Sequence, residues 1–277
     1  GDMARKYRYT AKNKYAKKSS NAGDWLKIVG AAGVILAALG VGGHYLYNQP
    51  KSPDKATLCP ADGPLGHVVV LVDNTDPYSF IQREAFSQAL RALSDEVVPE
   101  GFLLSVFSLG EHFERNAKPL FERCNPGTSV GKSEMTANLK RIDLRYQESF
   151  KSPIEQLKDS LLSDTPAQYS PIFEMIQLAS INGFRTQNVQ GPRKLIIFSD
   201  MLPNTPDYSM FKGAPDYKAF SNTSYGERSK TDLSGVNVEI HYLMKYPKLQ
   251  TMKQLNFWEL YFEDAGARVT GVKTMEG

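Results

Sequence analysis

His67-Val68-Val69-Val70-Leu71-Val72-Asp73-Asn74-Thr75-Asp76-Pro77-Tyr78 is the stretch from which the rest of this 277-residue chain is read. Five apolar residues, mostly β-branched, run without alternation into an acidic turn. Such a run suits a strand buried on both faces, as in a parallel sheet. Asp, Asn and Pro cannot prolong a central strand, because proline lacks the N–H donor and Asp and Asn favour turns. Carboxylates and a hydroxyl are therefore expected at the carboxyl end of a central strand, where open α/β sheets bind ligands. Hard oxygen donors grouped there point to Mg²⁺, Mn²⁺ or Ca²⁺.

Two further stretches end in the same chemistry. Lys194-Leu195-Ile196-Ile197-Phe198-Ser199-Asp200 is a second strand closing on a carboxylate. Between the two, Tyr169-Ser170-Pro171-Ile172 sets a hydroxyl ahead of a helix that runs to Ile181. As a bare pattern, Ser170 reads simply as a helix N-cap. Taken in order, the three pieces resemble the von Willebrand factor A family. Its metal-ion-dependent adhesion site has Asp-x-Ser-x-Ser after the first strand, a Thr or Ser ahead of a mid-domain helix, and an Asp ending a later strand. The resemblance runs from about Gly66 to Val272 and maps onto Asp73, Thr75, Ser170 and Asp200. Pro77 stands where the family has its second Ser, and Asp76 is the neighbour that could make up the lost oxygen. The resemblance implies a mainly parallel, doubly wound α/β sheet with helices on both faces. It also implies a divalent cation whose open position captures an acidic residue of a protein partner.

The formal charge of +3 is unevenly spread. Residues 1–27 hold eight Lys or Arg against two Asp, so the remainder is acidic by three charges. An acidic globular part gives no reason to expect nucleic-acid binding. The basic tail, which contains Tyr7, Tyr9 and Tyr15, reads as a cytoplasmic segment beside anionic lipid, with RNA contact as the weaker alternative. Residues 28–47 carry no formal charge and are long enough, at about 1.5 Å per residue, to cross a bilayer. Trp25 at one end and Tyr45 and Tyr47 at the other fit interfacial anchors. The lysines place the N-terminus in the cytoplasm and the rest in the periplasm or outside the cell. A cleaved signal peptide is the competing reading, against which stand the length of the run and the absence of an Ala-x-Ala site.

Residues 48–65, rich in proline, read as a linker, and 66–277 as the folded domain. Cys59 lies in the linker and Cys124 follows the strand 119–123. In an oxidising compartment the two are expected to pair; otherwise they are two free thiols. Thr136–Ser163 reads as a helix broken at Pro153, with Leu139, Ile142, Leu157, Leu161 and Leu162 buried. Met201–Ser234 is long and polar, so it is expected to be a loop overhanging the site. It would offer Tyr208, Phe211, Tyr217, Phe220 and Tyr225 to a partner.

Two other classes are weighed. Gly127-Thr128-Ser129-Val130-Gly131-Lys132-Ser133 nearly spells a nucleotide-binding P-loop, but the required first glycine is Pro126. The four histidines, at 44, 67, 112 and 241, have no ligand spacing, and no Gly-x-Ser-x-Gly or Cys-His arrangement stands out. The expectation is a non-enzymatic, membrane-anchored binding module in an envelope complex. A metal-free structural subunit is the alternative.

Overall fold

In the computed structural model, residues 22–49, 51–135 and 137–277 are described. The basic tail expected at the N-terminus lies mostly outside these residues. The chain divides into two units, Gly1–Lys51 and Ser52–Gly277. Among the described residues of the first is one helix, α1 (Ala22–Tyr47), within which Trp25–Tyr47 is long and apolar enough to cross a membrane.

The second unit is a six-stranded sheet with helices on both faces. Its elements are β1 (His67–Asp73), α2 (Phe80–Ala92), β2 (Leu103–Leu109), β3 (Phe121–Cys124), α3 (Leu139–Tyr146), α4 (Ser152–Gln156), α5 (Lys158–Leu161), α6 (Ile172–Leu178), β4 (Arg193–Ser199), α7 (Tyr217–Ser221), α8 (Ser224–Arg228), β5 (Val236–Leu243), α9 (Met252–Asp264) and β6 (Arg268–Met275). Strand order is β3-β2-β1-β4-β5-β6, parallel throughout except for the short edge strand β3. The chain winds outward from β1 in both directions, so the switch point lies between β1 and β4.

The unalternating valines of β1 are explained by the two layers they divide. Val69 and Leu71 enter one core with α6 and α9, while Val68, Val70 and Val72 enter the other with Phe86, Leu90 and Phe150. All seven β1 residues are buried. α2 starts at a reciprocal capping box, in which Ser79 Oγ accepts from Gln82 N and Gln82 Oε1 accepts from Ser79 N.

The compact unit begins at Ser52. Cys59 is bonded to Cys124, and Cys124 N donates to Thr57 O, so the approach to β1 is stapled to β3. The segment after residue 136 does not break at Pro153, which occupies the first turn of α4. A wide turn just ahead of it, with Ser152 N bonded to Gln147 O, absorbs the missing donor. The buried ladder there is Tyr146, Phe150, Ile154 and Leu161, whereas Leu139 and Ile142 are only partly covered.

A further correction concerns Met201–Ser234, which folds inward. Phe220 stacks on Phe173 at 4.8 Å, and Tyr208, Tyr217 and Tyr225 pack around the same rings with Phe257. Phe220 and Tyr225 are buried and Tyr208 and Tyr217 half-buried; of the five aromatics only Phe211 is exposed. Aromatic area that seals a core cannot at the same time be offered to a partner. The P-loop reading, already disfavoured by Pro126, gains no support. The stretch follows an antiparallel edge strand, and Lys132 pairs with Glu100 at 3.0 Å. A P-loop joins a strand directly to a helix N-terminus, and here the next helix starts only at Leu139.

Candidate functional site

β1 and β4 are parallel neighbours, so their last residues emerge at the same edge, at the switch point. Asp73 ends β1 and Asp200 immediately follows β4. Both are buried, at 5% and 6% exposure.

Asp73 is held on both oxygens. Oδ1 accepts from Thr75 N at 3.0 Å and from Thr75 Oγ1 at 2.7 Å, and Oδ2 accepts from Ser199 Oγ at 2.7 Å. This turn is why Asn74-Thr75 leaves the strand direction, since the side chain replaces the lost ladder partners. Thr75 Oγ1 also lies 3.2 Å from Ser170 Oγ. Ser170 is not the N-cap of α6: the cap is Pro171, which has no side-chain capping bond. The Ser170 hydroxyl is thus turned toward the Asp73 turn, while its backbone pairs with Asn204 just beyond Asp200. Asp200 Oδ1 accepts from Leu202 N at 3.0 Å.

Three of the four residues expected here are joined by direct hydrogen bonds, and Asp200 joins them through its charge. Burial raises the Asp200 carboxyl to about 8, with the Asp73 charge as the next cause. Burial likewise raises Asp73, against the bonds from Thr75 and Ser199 that favour its ionised form. Tyr78, beneath them, is pushed well up by burial and by both carboxylates. Asp76 is half-buried at the rim, 3.9 Å from Lys245 Nζ. Among the described residues no three His, Cys, Asp or Glu side chains form a metal-binding group. The donor set here is instead two carboxylates and two hydroxyls, all hard oxygens of the kind that suits Mg²⁺ or Mn²⁺.

Several participants escaped the sequence reading. Ser199 reads in the sequence as an ordinary strand residue, although a polar side chain at the last position of a buried strand is itself a signal. β5 is a third parallel strand ending at this edge, and it delivers Lys245 and Tyr246. Lys245 Nζ donates to Pro77 O at 2.8 Å. Tyr246 is half-exposed, and burial, with the charges of Asp76 and Asp200, raises its hydroxyl. Gln250 ties these pieces together. Its Nε2 donates to Asp200 O and Leu243 O, and its Oε1 accepts from Lys245 N and Tyr246 N. Met201, just after Asp200, has φ +57, a left-handed conformation that costs a non-glycine residue free energy. Its carbonyl is clamped by Gln254 Nε2 and Trp258 Nε1.

The exposed apolar side chains around this edge are mostly different ones. Phe80 and Ile81, at the start of α2 behind the Asp73 turn, are 84% and 59% exposed. Phe211 meets Tyr246 edge-on at 5.1 Å, both partly exposed.

No family model matches this chain, and no curated protein does. Among solved structures, it is similar to the crystal structure of the human COPII-coat protein Sec24c. The identity is 12% and the TM-score 0.35, over 79% of this chain and 31% of that one. The chain matches about a third of the length of Sec24c. What is established is the class: an α/β protein with a mainly parallel six-stranded sheet, a disulfide and an apolar N-terminal helix.

Proposed function

We propose that the chain is a membrane-anchored protein-binding module that takes its partner at the carboxyl edge of the sheet. It would do so in the manner of the von Willebrand factor A family that its motifs resemble. The observation that carries this reading is the buried pair Asp73 and Asp200, brought to one edge with the Thr75 and Ser170 hydroxyls. Two buried carboxylates of raised proton affinity favour positive charge beyond that of Lys245, and a divalent cation is one way to supply it. Lys245 is the nearby ammonium, 3.9 Å from Asp76 Oδ2. Asp73, Thr75, Ser170 and Asp200 would hold the cation, directly or through water. When bound, it supplies an electrophilic position for a carboxylate of the partner. The residues themselves orient that position and keep it partly dry, and Phe80, Ile81, Phe211 and Tyr246 provide apolar area beside it. No catalytic step is part of this reading.

In this proposal α1 spans the membrane with the basic tail in the cytoplasm and the compact unit outside it. The disulfide agrees with an oxidising compartment. A reporter active only outside the cytoplasm, fused after Gly277, is expected to be active.

The second reading, a structural subunit without metal, is favoured by Pro77 and by the Lys245 ammonium on its carbonyl. The full chain in mild detergent separates the two. Under the first, Mg²⁺ or Mn²⁺ gives heat in calorimetry, and EDTA or Asp73→Ala releases co-purifying partners. Partners that survive EDTA, together with no heat from a folded sample, sink the metal and leave the structural reading.

A further inference from the structure

Lys245 is not a loose surface lysine. Its side chain is 16% exposed, its ammonium sits 2.8 Å from Pro77 O and 3.9 Å from Asp76 Oδ2, and it lies 5.7 Å from the centre of the Tyr78 ring. Its backbone is fixed through Gln250, which binds Lys245 N on one side and Asp200 O on the other. Lysines are rarely so covered without a charge to serve. The charge it serves is this site's: Asp73, Asp76 and Asp200 are the carboxylates there. Its hydrogen-bond partner is the residue that replaces a hydroxyl with a proline ring. Pro77 can offer only its carbonyl, and that carbonyl is spent on the ammonium.

We propose that Lys245 is a resident cation of the site, taking the Pro77 side of the carboxylate cluster and thereby holding its affinity for a divalent ion low. A fixed positive charge on the Pro77 side of the cluster opposes an incoming dication directly and also occupies Asp76 and the Pro77 carbonyl. The cluster then responds to high divalent concentrations instead of being permanently loaded. This inference rests on reading Asp73 and Asp200 as a cation site, and its test is arranged so that the two can fail separately.

The test uses the full chain in detergent, with Mn²⁺ as probe and free Mn²⁺ followed by its electron-spin-resonance signal. Lys245→Gln removes the charge and keeps a donor for Pro77 O; Lys245→Arg keeps the charge. The glutamine variant is expected to bind Mn²⁺ at least about tenfold more tightly than wild type, and the arginine variant like wild type. In EDTA the glutamine variant should melt lower than wild type, and Mn²⁺ should close that gap. A glutamine variant unfolded in EDTA but refolded by Mn²⁺ supports the proposal, and one that Mn²⁺ cannot refold counts against it. Equal or weaker Mn²⁺ binding by the glutamine variant, with wild type binding, overturns the role of Lys245 and leaves the cation site standing. Absence of Mn²⁺ binding in all three proteins overturns both.

Discussion

Replacing Asp200 with asparagine should stabilise the metal-free protein, and more so as pH rises. The Asp200 carboxyl is raised from 3.8 to about 8, by burial and then by the charge of Asp73. An acid whose folded value is raised binds its proton more tightly in the native state than in the unfolded one. Its contribution is therefore intact below pH 3.8 and is lost as pH climbs through the window to about 8. Each unit inside that window costs about 1.4 kcal/mol, so the loss grows steadily with pH and reaches roughly several kcal/mol near neutrality. Asparagine keeps an oxygen for Leu202 N, carries no charge, and relieves Asp73 of its neighbour. The assay is urea unfolding of the full chain in detergent with EDTA, followed by circular dichroism at pH 4, 5 and 7. The difference between variant and wild type should be small at pH 4 and grow to several kcal/mol at pH 7. A difference independent of pH, or a variant less stable at pH 7, would mean that the two carboxylates are not the mutually opposed buried pair described above.

Three further outcomes follow from other parts of the molecule. The Cys59–Cys124 bond closes a loop across 65 residues, so changing both cysteines to alanine should cost about 4 kcal/mol on the chain-entropy account; unchanged urea midpoints, or two reactive thiols in the unfolded, unreduced protein, would reject it. Phe220→Ala removes a buried ring stacked on Phe173 and should cost about 3–5 kcal/mol, whereas Phe211→Ala, at a 42% exposed position, should cost under about 1; equal melting shifts would contradict the inward packing of the insertion. His67, fully buried against Ser105 Oγ, is lowered to about 4 by burial and then by Arg193. It favours the neutral form when folded, so its contribution is present above pH 6.5 and up to about 3 kcal/mol is lost as pH falls to 4; His67→Gln should flatten that slope, and an unchanged acid limb would show that the acid sensitivity lies elsewhere.

The fold was legible because its signals are local. β1 announces burial on both faces by composition alone, and Asp73 and Asp200 each follow directly on such a run. Ser170 was legible only through a pattern of three separated pieces, since a hydroxyl before a helix usually caps it. Lys245, Tyr246 and Gln250 were not legible. They belong to the loop after β5, and nothing in Leu243-Met244-Lys245-Tyr246 says which residue it will meet at Pro77.

The insertion went wrong for a similar reason. Met201–Ser234 is polar and proline-rich on average, yet burial is decided residue by residue through neighbours far away in sequence. Phe220 finds Phe173 and Phe257, and Tyr225 finds Glu174 through a 2.8 Å hydrogen bond. By itself the sequence determined the alternation of strands and helices, the apolar N-terminal span and the placing of carboxylates at strand ends, because hydrophobic periodicity and turn chemistry act over a few residues. Only the tertiary structure decided that Cys59 reaches Cys124, that the insertion's aromatics face inward, and that Lys245 stands over Pro77. Each of these is a meeting of residues tens to more than a hundred positions apart, set by strand order and register.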